Sequence, residues 1–420
     1  MSFSSFFKSP SAVRAFTPLA VYGAFFLRGF SFIILLPFLT RVIQPLTWGA
    51  LLSAQALGLW LILLLDFGFT LSLSRKIAIL RGDVGQVSRD VGNVISAKIL
   101  LSLFAVLITY LVSHQPAIVN YQSFAWLALL WAITQSFSPL WFYQAVERMV
   151  EFSIIDMIGR VVYILSILIF VRGNSDAYLV LLLQALTLIV VNFLTISRMW
   201  KSIGGFSLSL WGGFEAIREG YVLSGFTLLT SLYTAAGTFM FGFFAPPALV
   251  PVYGNADRLA RAGVSLLGPL NQLLLPRSAR AFAESHQKGF TLVKRFLLFY
   301  SLIGLLGFVA GWLLAPFAVH LLFGKSYIKS VHYLRWLMVL FPLTAFNTVL
   351  VYHFLIPLAR DKIVTFIYTM ISFITLCLIF LLVPRYRGDG MIIAMIFPEF
   401  LALIILSLIY FKAYRRYNNA

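Results

Sequence analysis

Residues 363–383 read IVTFIYTMISFITLCLIFLLV and contain no charged side chain. The hydrocarbon core of a bilayer is about 30 Å thick, and a helix of about 20 apolar residues crosses it. The stretch therefore predicts a membrane-spanning helix. Cys377, the single cysteine of the chain, lies inside this stretch. No disulfide or Cys/His metal site is expected, and we expect Cys377 to pack between helices.

The composition extends this prediction to the whole chain. Hydrophobic residues make up 61% of the 420 residues, charged residues make up 11%, and the mean hydropathy is +0.94. A soluble domain carries about a quarter charged residues to cover its surface. The net charge of +18 indicates basic loops on the inner side of a membrane rather than a nucleic-acid-binding surface.

Twelve apolar segments are long enough to cross a bilayer, which predicts an all-α integral membrane protein with 12 transmembrane helices. The first segment is longer than the core of a signal peptide and is expected to be retained. The predicted spans are 16–40, 46–71, 94–112, 123–143, 154–171, 178–196, 221–244, 252–275, 292–314, 333–355, 363–383 and 391–411.

Basic residues concentrate on one side of these spans. Arg75, Lys76, Arg81 and Arg89 follow the second span, and the C-terminal tail carries more. Because basic loops stay in the cytoplasm, both termini are predicted to be cytoplasmic. The opposite loops are short and leave no room for a catalytic domain. The chain also lacks sequence motifs of catalysis or phosphate binding, so we expect no enzyme.

The longest polar interruption in mid-chain lies at residues 198–220 and divides the spans six and six. This division predicts an N-terminal six-helix lobe at 1–200, a cytoplasmic linker at 201–219 and a C-terminal six-helix lobe at 220–420. Six helices per lobe place both lobes the same way up. We therefore expect a parallel pseudo-two-fold repeat around a central cavity, which suits alternating access.

Ionisable residues inside the spans point to function, because charges within a bilayer are costly and usually face a cavity or a partner. The candidates are Arg28, Asp66, Asp257, Arg258, Arg261 and Glu399. Structural alternatives remain open for each of them. These are ion pairing between helices for the two arginines of the eighth span, snorkelling for Arg28, and a structural role for Asp66 and Glu399.

The eighth span is the most informative one. One face of this helix carries Gly254, Arg258, Arg261 and Ser265. Asp257 lies four residues before Arg261, a spacing that allows the two side chains to pair. Two arginines with at most one adjacent acid leave surplus positive charge. In the second span, Gln55 shares a helical face with Asp66.

The seventh span carries a stripe of hydroxyl side chains, formed by Ser224, Thr227, Ser231, Thr234 and Thr238. Such a stripe indicates either the wall of a hydrated cavity or a helix–helix contact satisfied by backbone carbonyls. A cavity with three arginines and a hydroxyl wall favours an anionic, hydroxyl-rich substrate, because arginine binds phosphate through two hydrogen bonds at once. A pyrophosphate-linked glycan has both properties.

Three stretches resemble the Wzx family of O-antigen flippases, the polysaccharide-transport branch of the superfamily that also contains multidrug exporters. They are DFGF at 66–69 with SRKIA at 74–78, WFYQAVERM at 141–149, and VYGNADRL at 252–259 followed by Pro276 and Arg277. Their order and their placement along the spans match the family over the whole chain.

The resemblance implies a two-lobed bundle that moves undecaprenyl-pyrophosphate-linked oligosaccharide from the cytoplasmic to the periplasmic leaflet. Arg28, Arg258 and Arg261 would then hold the pyrophosphate, while Tyr22, Gln55 and the seventh-span hydroxyls contact sugars. We expect the lipid-linked glycan and membrane lipids as partners, an O-antigen polymerase and a chain-length regulator as further partners, and no cofactor or nucleic acid.

The driving force and several rival functions remain open at this point. The membrane potential could drive export of an anionic headgroup, or Asp66, Asp257 or Glu399 could couple it to H⁺ or Na⁺. A multidrug exporter of the same superfamily is the main alternative, although its cavity would favour acids. The loop at 81–85 lacks the pattern of major-facilitator transporters, and the short outer loops oppose a glycosyltransferase.

Overall fold

The computed structural model describes residues 34–79, 83–114, 121–146, 148–220 and 237–418, and every regular element in these ranges is helical. The all-α prediction is confirmed over this part of the chain. The chain divides into two compact units, Met1–Leu228 and Leu229–Ala420.

The first unit contains nine described helices. Most of them coincide with predicted spans, although several extend beyond the apolar segment. They are α1 at 34–42, α2 at Pro45–Asp66, α3 at Phe69–Ile79, α4 at Val84–Ser113, α5 at Gln122–Ser136, α6 at Leu140–Ala145, α7 at Met149–Phe170, α8 at Leu179–Ile203 and α9 at 210–220.

The predicted second span is not one continuous helix. Phe67 (φ 48°) and Gly68 (φ 75°) both adopt left-handed backbone conformations between α2 and α3. Two successive left-handed residues cannot continue a right-handed helix, and the Phe67 amide instead closes α2 by donating to the Leu63 carbonyl at 3.1 Å. Asp66 is therefore the last residue of α2, directly at the break.

Close helix packing in the first unit depends on a glycine. A Cβ at Gly58 of α2 would lie 2.6 Å from the Trp131 ring of α5, so only glycine permits this approach. Side chains also bridge neighbouring helices: the Tyr143 hydroxyl donates to the Thr195 carbonyl at 2.9 Å, and the Asn192 amide donates to the Thr134 carbonyl at 2.5 Å. These bonds join the end of α5 and the short α6 to α8.

The second unit contains seven described helices and one π-helical turn. They are α10 at Gly237–Phe244, α11 at Val250–Ser265, α12 at Leu267–Glu284, α13 at His286–Phe323, α14 at Ser330–Leu337, α15 at Leu340–Thr348 with the π-helical turn Val349–Leu355, and α16 at Asp361–Asn418. Arg387 (φ 50°, ψ −124°) interrupts α16, which therefore consists of two helices, as the predicted spans 363–383 and 391–411 require.

The predicted eighth span also divides into two helices, because α11 ends at Ser265 and α12 begins at Leu267, although Leu266 between them keeps right-handed dihedrals (φ −63°, ψ −19°). A buried polar network connects α12, α13 and the π-helical turn. His353 lies 2.9 Å from the Ser278 hydroxyl through Nδ1 and 3.4 Å from the Tyr300 hydroxyl through Nε2, and Tyr300 donates to Asn271 at 2.6 Å. The network satisfies polar groups that would otherwise be costly to bury.

Glycines also set the packing of α13. Cβ atoms at Gly304 and Gly307 would lie 2.8 Å from Pro342 and 2.6 Å from the Phe341 ring, and one at Gly311 would overlap Met338. These glycines recur at spacings of three and four and so lie on one helical face. They form the small-residue surface that lets two helices pack closely without polar contacts.

Seven described helical segments are long and apolar enough to cross a membrane by length and composition. They are Pro45–Asp66, Val84–Ser113, Met149–Phe170, Asn174–Ile203, His286–Phe323, Ser330–Leu355 and Asp361–Tyr417. The chain is a multi-pass membrane protein. One packing expectation was wrong: Cys377 is exposed on the outer surface of α16 rather than packed between helices. The apolar run that contains it covers all sides of the helix, so composition does not distinguish the core side from the lipid side.

Candidate functional site

The predicted pair on the eighth span is present in the structure. Arg261 Nε lies 2.9 Å from both carboxylate oxygens of Asp257, one turn away on α11. Asp257 is buried and accepts a third, longer contact from the Thr238 hydroxyl of α10 at 3.4 Å. The structure thus brings three predicted site residues, Thr238, Asp257 and Arg261, into direct contact.

The side chain of Arg261 is partly exposed. Its terminal nitrogen Nη2 lies 3.9 Å from the sulfur of Met395 in α16, and its side chain remains 33% exposed. Arg258 is half-buried on the same helix, so two guanidinium groups accompany one carboxylate. The formal charges of these three side chains sum to a positive value, which suits an anionic ligand.

Glu399 lies elsewhere in the second unit, in the second helix of α16. Its carboxylate accepts a hydrogen bond from the Asn347 amide at 2.9 Å, and the same amide also donates to the Glu399 carbonyl at 3.1 Å. Asn347 is buried and Glu399 is half-buried. The contact ties α15 to α16 and places Glu399 in a polar environment.

Asp66 has a partner that the sequence analysis missed. Lys98 of α4 is almost completely buried, and its ammonium lies 3.4 Å from Asp66 Oδ1. The same ammonium donates to the Ser136 carbonyl in the last turn of α5, where helical carbonyls have no partner within the helix. Asp66 also accepts a bond of 2.6 Å from the Thr70 hydroxyl across the Phe67–Gly68 break. Lys98 therefore connects α4, which carries it, to α2 and α5.

A second ion pair lies within α7 and was also missed. Arg160 Nε lies 3.1 Å from Asp156 Oδ2, four residues earlier on the helix, and Asp156 is buried. The pair borders a small cavity whose other polar lining residues are Gln135, Tyr163, Gln184 and Thr187. The four-residue spacing inside a predicted span was the available signal, the same spacing that identified Asp257 and Arg261.

Other predicted site residues have different surroundings or lie outside the described ranges. Gln55 of α2 is buried, with only 3% of its surface exposed. The predicted residues outside the described part of the chain are Tyr22, Arg28, Ser224, Thr227, Ser231 and Thr234.

The fold is similar to that of known transporters. A multidrug resistance MATE family transporter of the MOP superfamily, in an inward-facing conformation, matches with a TM-score of 0.69 and 16% identity over 93% of this chain and 99% of its own. The lipid II flippase MurJ, in an inward closed conformation, matches with a TM-score of 0.60 and 12% identity over 89% of this chain and 86% of its own. The protein therefore has the fold of the MOP transporter superfamily.

The sequence defines the family to which the chain belongs. Residues 20–282 match the family described as polysaccharide biosynthesis protein, and the chain belongs to this family. A protein of Shigella dysenteriae named "Putative O-antigen transporter" is 25% identical over 395 residues, which cover 92% of this chain and 96% of the relative. A protein of the same name from Escherichia coli K12 is 25% identical over 302 residues, 70% of this chain and 69% of the relative. The resemblance to the Wzx-type flippases is confirmed, and the chain belongs to a transporter family rather than to a class of enzymes.

Proposed function

We propose that this protein flips undecaprenyl-pyrophosphate-linked O-antigen oligosaccharide repeat units from the cytoplasmic to the periplasmic leaflet of the bacterial inner membrane. The single observation that carries the proposal is the Arg261 guanidinium, which Asp257 holds through Nε while a third of the arginine side chain, 33%, is exposed. Relatives named as O-antigen transporters, and a fold shared with a lipid II flippase, support the substrate class.

In this proposal the pyrophosphate binds the arginines of α11. The Asp257 contact at 2.9 Å orients the Arg261 side chain, which lowers the entropy lost when the terminal N–H groups grip phosphate oxygens. Arg258 supplies a second positive charge on the same helix, and Arg28 is proposed to add a third. Gln55, Tyr22 and the hydroxyl stripe that ends at Thr238 are proposed to contact the sugars.

The proposed architecture has twelve spans in two six-helix lobes, at 1–200 and 220–420, joined through 201–219. Both termini would be cytoplasmic, because Lys and Arg concentrate on that side of the spans. Alternating access through a parallel repeat would expose the headgroup site first inward and then outward. An O-antigen polymerase and a chain-length regulator would act on the exported product.

Two driving forces fit the structure. A negative headgroup that leaves a negative cytoplasm gains about 2.3 kcal/mol per charge per 100 mV if the charge is uncompensated. Alternatively, a carboxylate exchanges H⁺ or Na⁺. Asp66 is the strongest of the three candidates, because it is more exposed than Asp257 and ends a broken helix. All three carboxylates have partners: Asp66 has Lys98 and Thr70, Asp257 has Arg261, and Glu399 has Asn347.

Complementation tests the proposal. The chain is expressed in a bacterium that lacks its own O-antigen flippase and is supplied with the matching glycan genes, and capped lipopolysaccharide is scored on a gel. The proposal predicts restored O-antigen. No restoration, despite confirmed membrane insertion and glycan supply, would favour the alternative of a multidrug or cation antiporter, which an ethidium efflux assay would then examine.

A further inference from the structure

The segment that follows α8 turns back onto the first unit instead of continuing outward. Gly204 (φ 72°) and Gly205 (φ 100°) both adopt left-handed conformations that other residues rarely adopt, and they end α8. The chain then runs through 206–209 and forms α9 at 210–220. The sequence predicted a linker at 201–219, but much of this segment is a docked helix.

The inner face of α9 fits closely against α4. A Cβ at Gly213 would lie 3.0 Å from the Ala97 amide nitrogen, and one at Gly212 would overlap Asn93. The Ser209 amide donates to the Ser96 hydroxyl at 3.0 Å. Glycines on this face let the two helices touch through their backbones, so the position of α9 on α4 is fixed.

The outer face of α9 is apolar and exposed. Trp211 is 81% exposed and Leu210 is 70% exposed, and Leu208 and Phe214 are also more than half exposed. These four side chains belong to one short segment that lies beyond the end of the spanning helix α8. In water, exposure of so many large apolar side chains on one side of a short helix would be unfavourable.

The length of α4 indicates how deep in the membrane the exposed apolar side chains of α9 lie. The 30 residues of α4 extend about 45 Å, whereas the hydrocarbon core is about 30 Å thick and needs about 20 residues. If Ser113 lies at one edge of the core, the other edge falls near Asn93 and Val94. Because α9 docks on α4 at Asn93, Ser96 and Ala97, it lies at that edge of the membrane.

We propose that α9 is an interfacial helix that binds the phospholipid surface on the Lys- and Arg-rich side of the protein. Leu208, Leu210, Trp211 and Phe214 insert at the boundary of headgroups and acyl chains, where tryptophan is enriched. The exposed Lys201 and Arg218 contact anionic headgroups. The lipid-facing surface of α8, with Phe193 and Trp200 exposed, continues directly into this face.

The anchored helix also forms one wall of a polar groove in the first unit. A cavity of about 400 Å³ lies between α3, α4 and α9, and its charged lining includes Lys76, Arg89, Asp90, Glu215 and Glu219. Glu215 and Glu219 are exposed on the groove side of α9, beside the exposed apolar side chains of Trp211 and Phe214. Lipid binding on one side of α9 would therefore hold the groove open at the membrane surface.

Spin labelling tests the proposal without reference to any substrate. In a Cys377→Ser background, single cysteines are introduced as Trp211→Cys and Phe214→Cys, with Glu215→Cys and Glu219→Cys as matched controls on the same helix. The purified full chain is labelled and reconstituted in vesicles of phosphatidylethanolamine and phosphatidylglycerol. Collision of the label with oxygen, which partitions into lipid, is compared with collision with a water-soluble nickel complex.

The proposal predicts that the oxygen-to-nickel collision ratio at 211 and 214 exceeds the ratio at 215 and 219 severalfold. Equal ratios at all four sites would overturn it by placing the apolar face in water. Labels at 211 and 214 that are shielded from both reagents would also overturn it, because a protein surface would then cover the face. Size-exclusion chromatography of each variant verifies that the fold is retained.

Discussion

Each unit contains an ion pair at a broken span, between two helices in the first unit and within α11 in the second, but opposite members of the two pairs are exposed. In the first unit, the Lys98 side chain is 2% exposed and the Asp66 side chain is 27% exposed. In the second unit, the Asp257 side chain is 7% exposed and the Arg261 side chain is 33% exposed. The first pair therefore presents a carboxylate, and the second presents a guanidinium.

The comparison separates structural charges from charges available to a ligand. Lys98 is enclosed by a carboxylate and a helix-end carbonyl, so its ammonium stabilises the first unit and has little access to a ligand. Arg261 binds Asp257 through Nε, and its side chain is much more exposed than that of Lys98. An anionic substrate should therefore depend on the second unit, and a coupling cation on Asp66.

The largest expected effect is on the exposed guanidinium groups. Hydrogen bonds to charged groups contribute about 1.5–3 kcal/mol, so Arg258→Ala with Arg261→Ala should reduce O-antigen export on the order of a hundredfold. The measurement is capped lipopolysaccharide in the complementation strain at matched expression. Arg280→Ala, an exposed arginine on α12, is the matched control and should leave export unchanged. Full export by the double variant would remove these arginines from the site.

Replacing Asp66, the exposed member of the Asp66–Lys98 pair, should cause a large loss of stability. Asp66→Asn leaves the buried Lys98 ammonium without its carboxylate, which should cost about 3 kcal/mol or more. The midpoint of thermal unfolding of the detergent-purified protein checks this. Asp66→Asn combined with Lys98→Met should unfold at a higher temperature than Asp66→Asn alone. If the double variant is no more stable, the pair is not the cause of the loss.

A smaller loss should follow from overpacking in the second unit. Gly307→Leu forces a side chain into the Phe341 ring, 2.6 Å from the position of its Cβ, and overpacking typically costs about 1–3 kcal/mol. Thermal unfolding measured as above should show a clear decrease. Gly268→Ala provides the control, because a Cβ at Gly268 meets no atom within 4 Å. Equal midpoints for both variants would contradict the packing at α13.

We expect the smallest effect from a substitution that breaks an ion pair fully exposed to water. Lys288 and Glu284 lie 2.8 Å apart on exposed surface, and exposed pairs contribute little because water and salt screen them. Lys288→Ala should change neither export nor the unfolding midpoint measurably. A loss similar to that of Asp66→Asn would show that exposure does not rank the ion pairs of this protein.

Hydropathy predicted the positions of the described helices well, because burial in a bilayer depends on the sum over many residues. It did not predict the breaks at Phe67–Gly68 and Leu266, since backbone dihedrals leave a window of apolar residues unchanged. Lys98 was missed because its partners, Asp66 and the Ser136 carbonyl, belong to other helices. The Asp257–Arg261 pair was predicted correctly because both residues lie on one helix, four positions apart.

The same reasoning explains α9. Its glycines and the serines that precede it resemble a linker, and only the contact with α4 shows which side of the segment is buried. The Arg160–Asp156 pair, in contrast, could have been predicted from the sequence, because its spacing matches that of Asp257 and Arg261. A search for paired charges inside each apolar segment would have found them.

The most direct test of the proposed function is a leaflet-accessibility assay in proteoliposomes. The probe is an undecaprenyl-pyrophosphate-linked saccharide with a fluorophore on the sugar, and external dithionite bleaches only probes in the outer leaflet. With the wild-type protein, bleaching should proceed beyond the outer-leaflet fraction seen in protein-free vesicles, and Arg258→Ala with Arg261→Ala should remain at that fraction. Wild-type bleaching that stops at the protein-free level, in vesicles that still transport ethidium, would contradict the account.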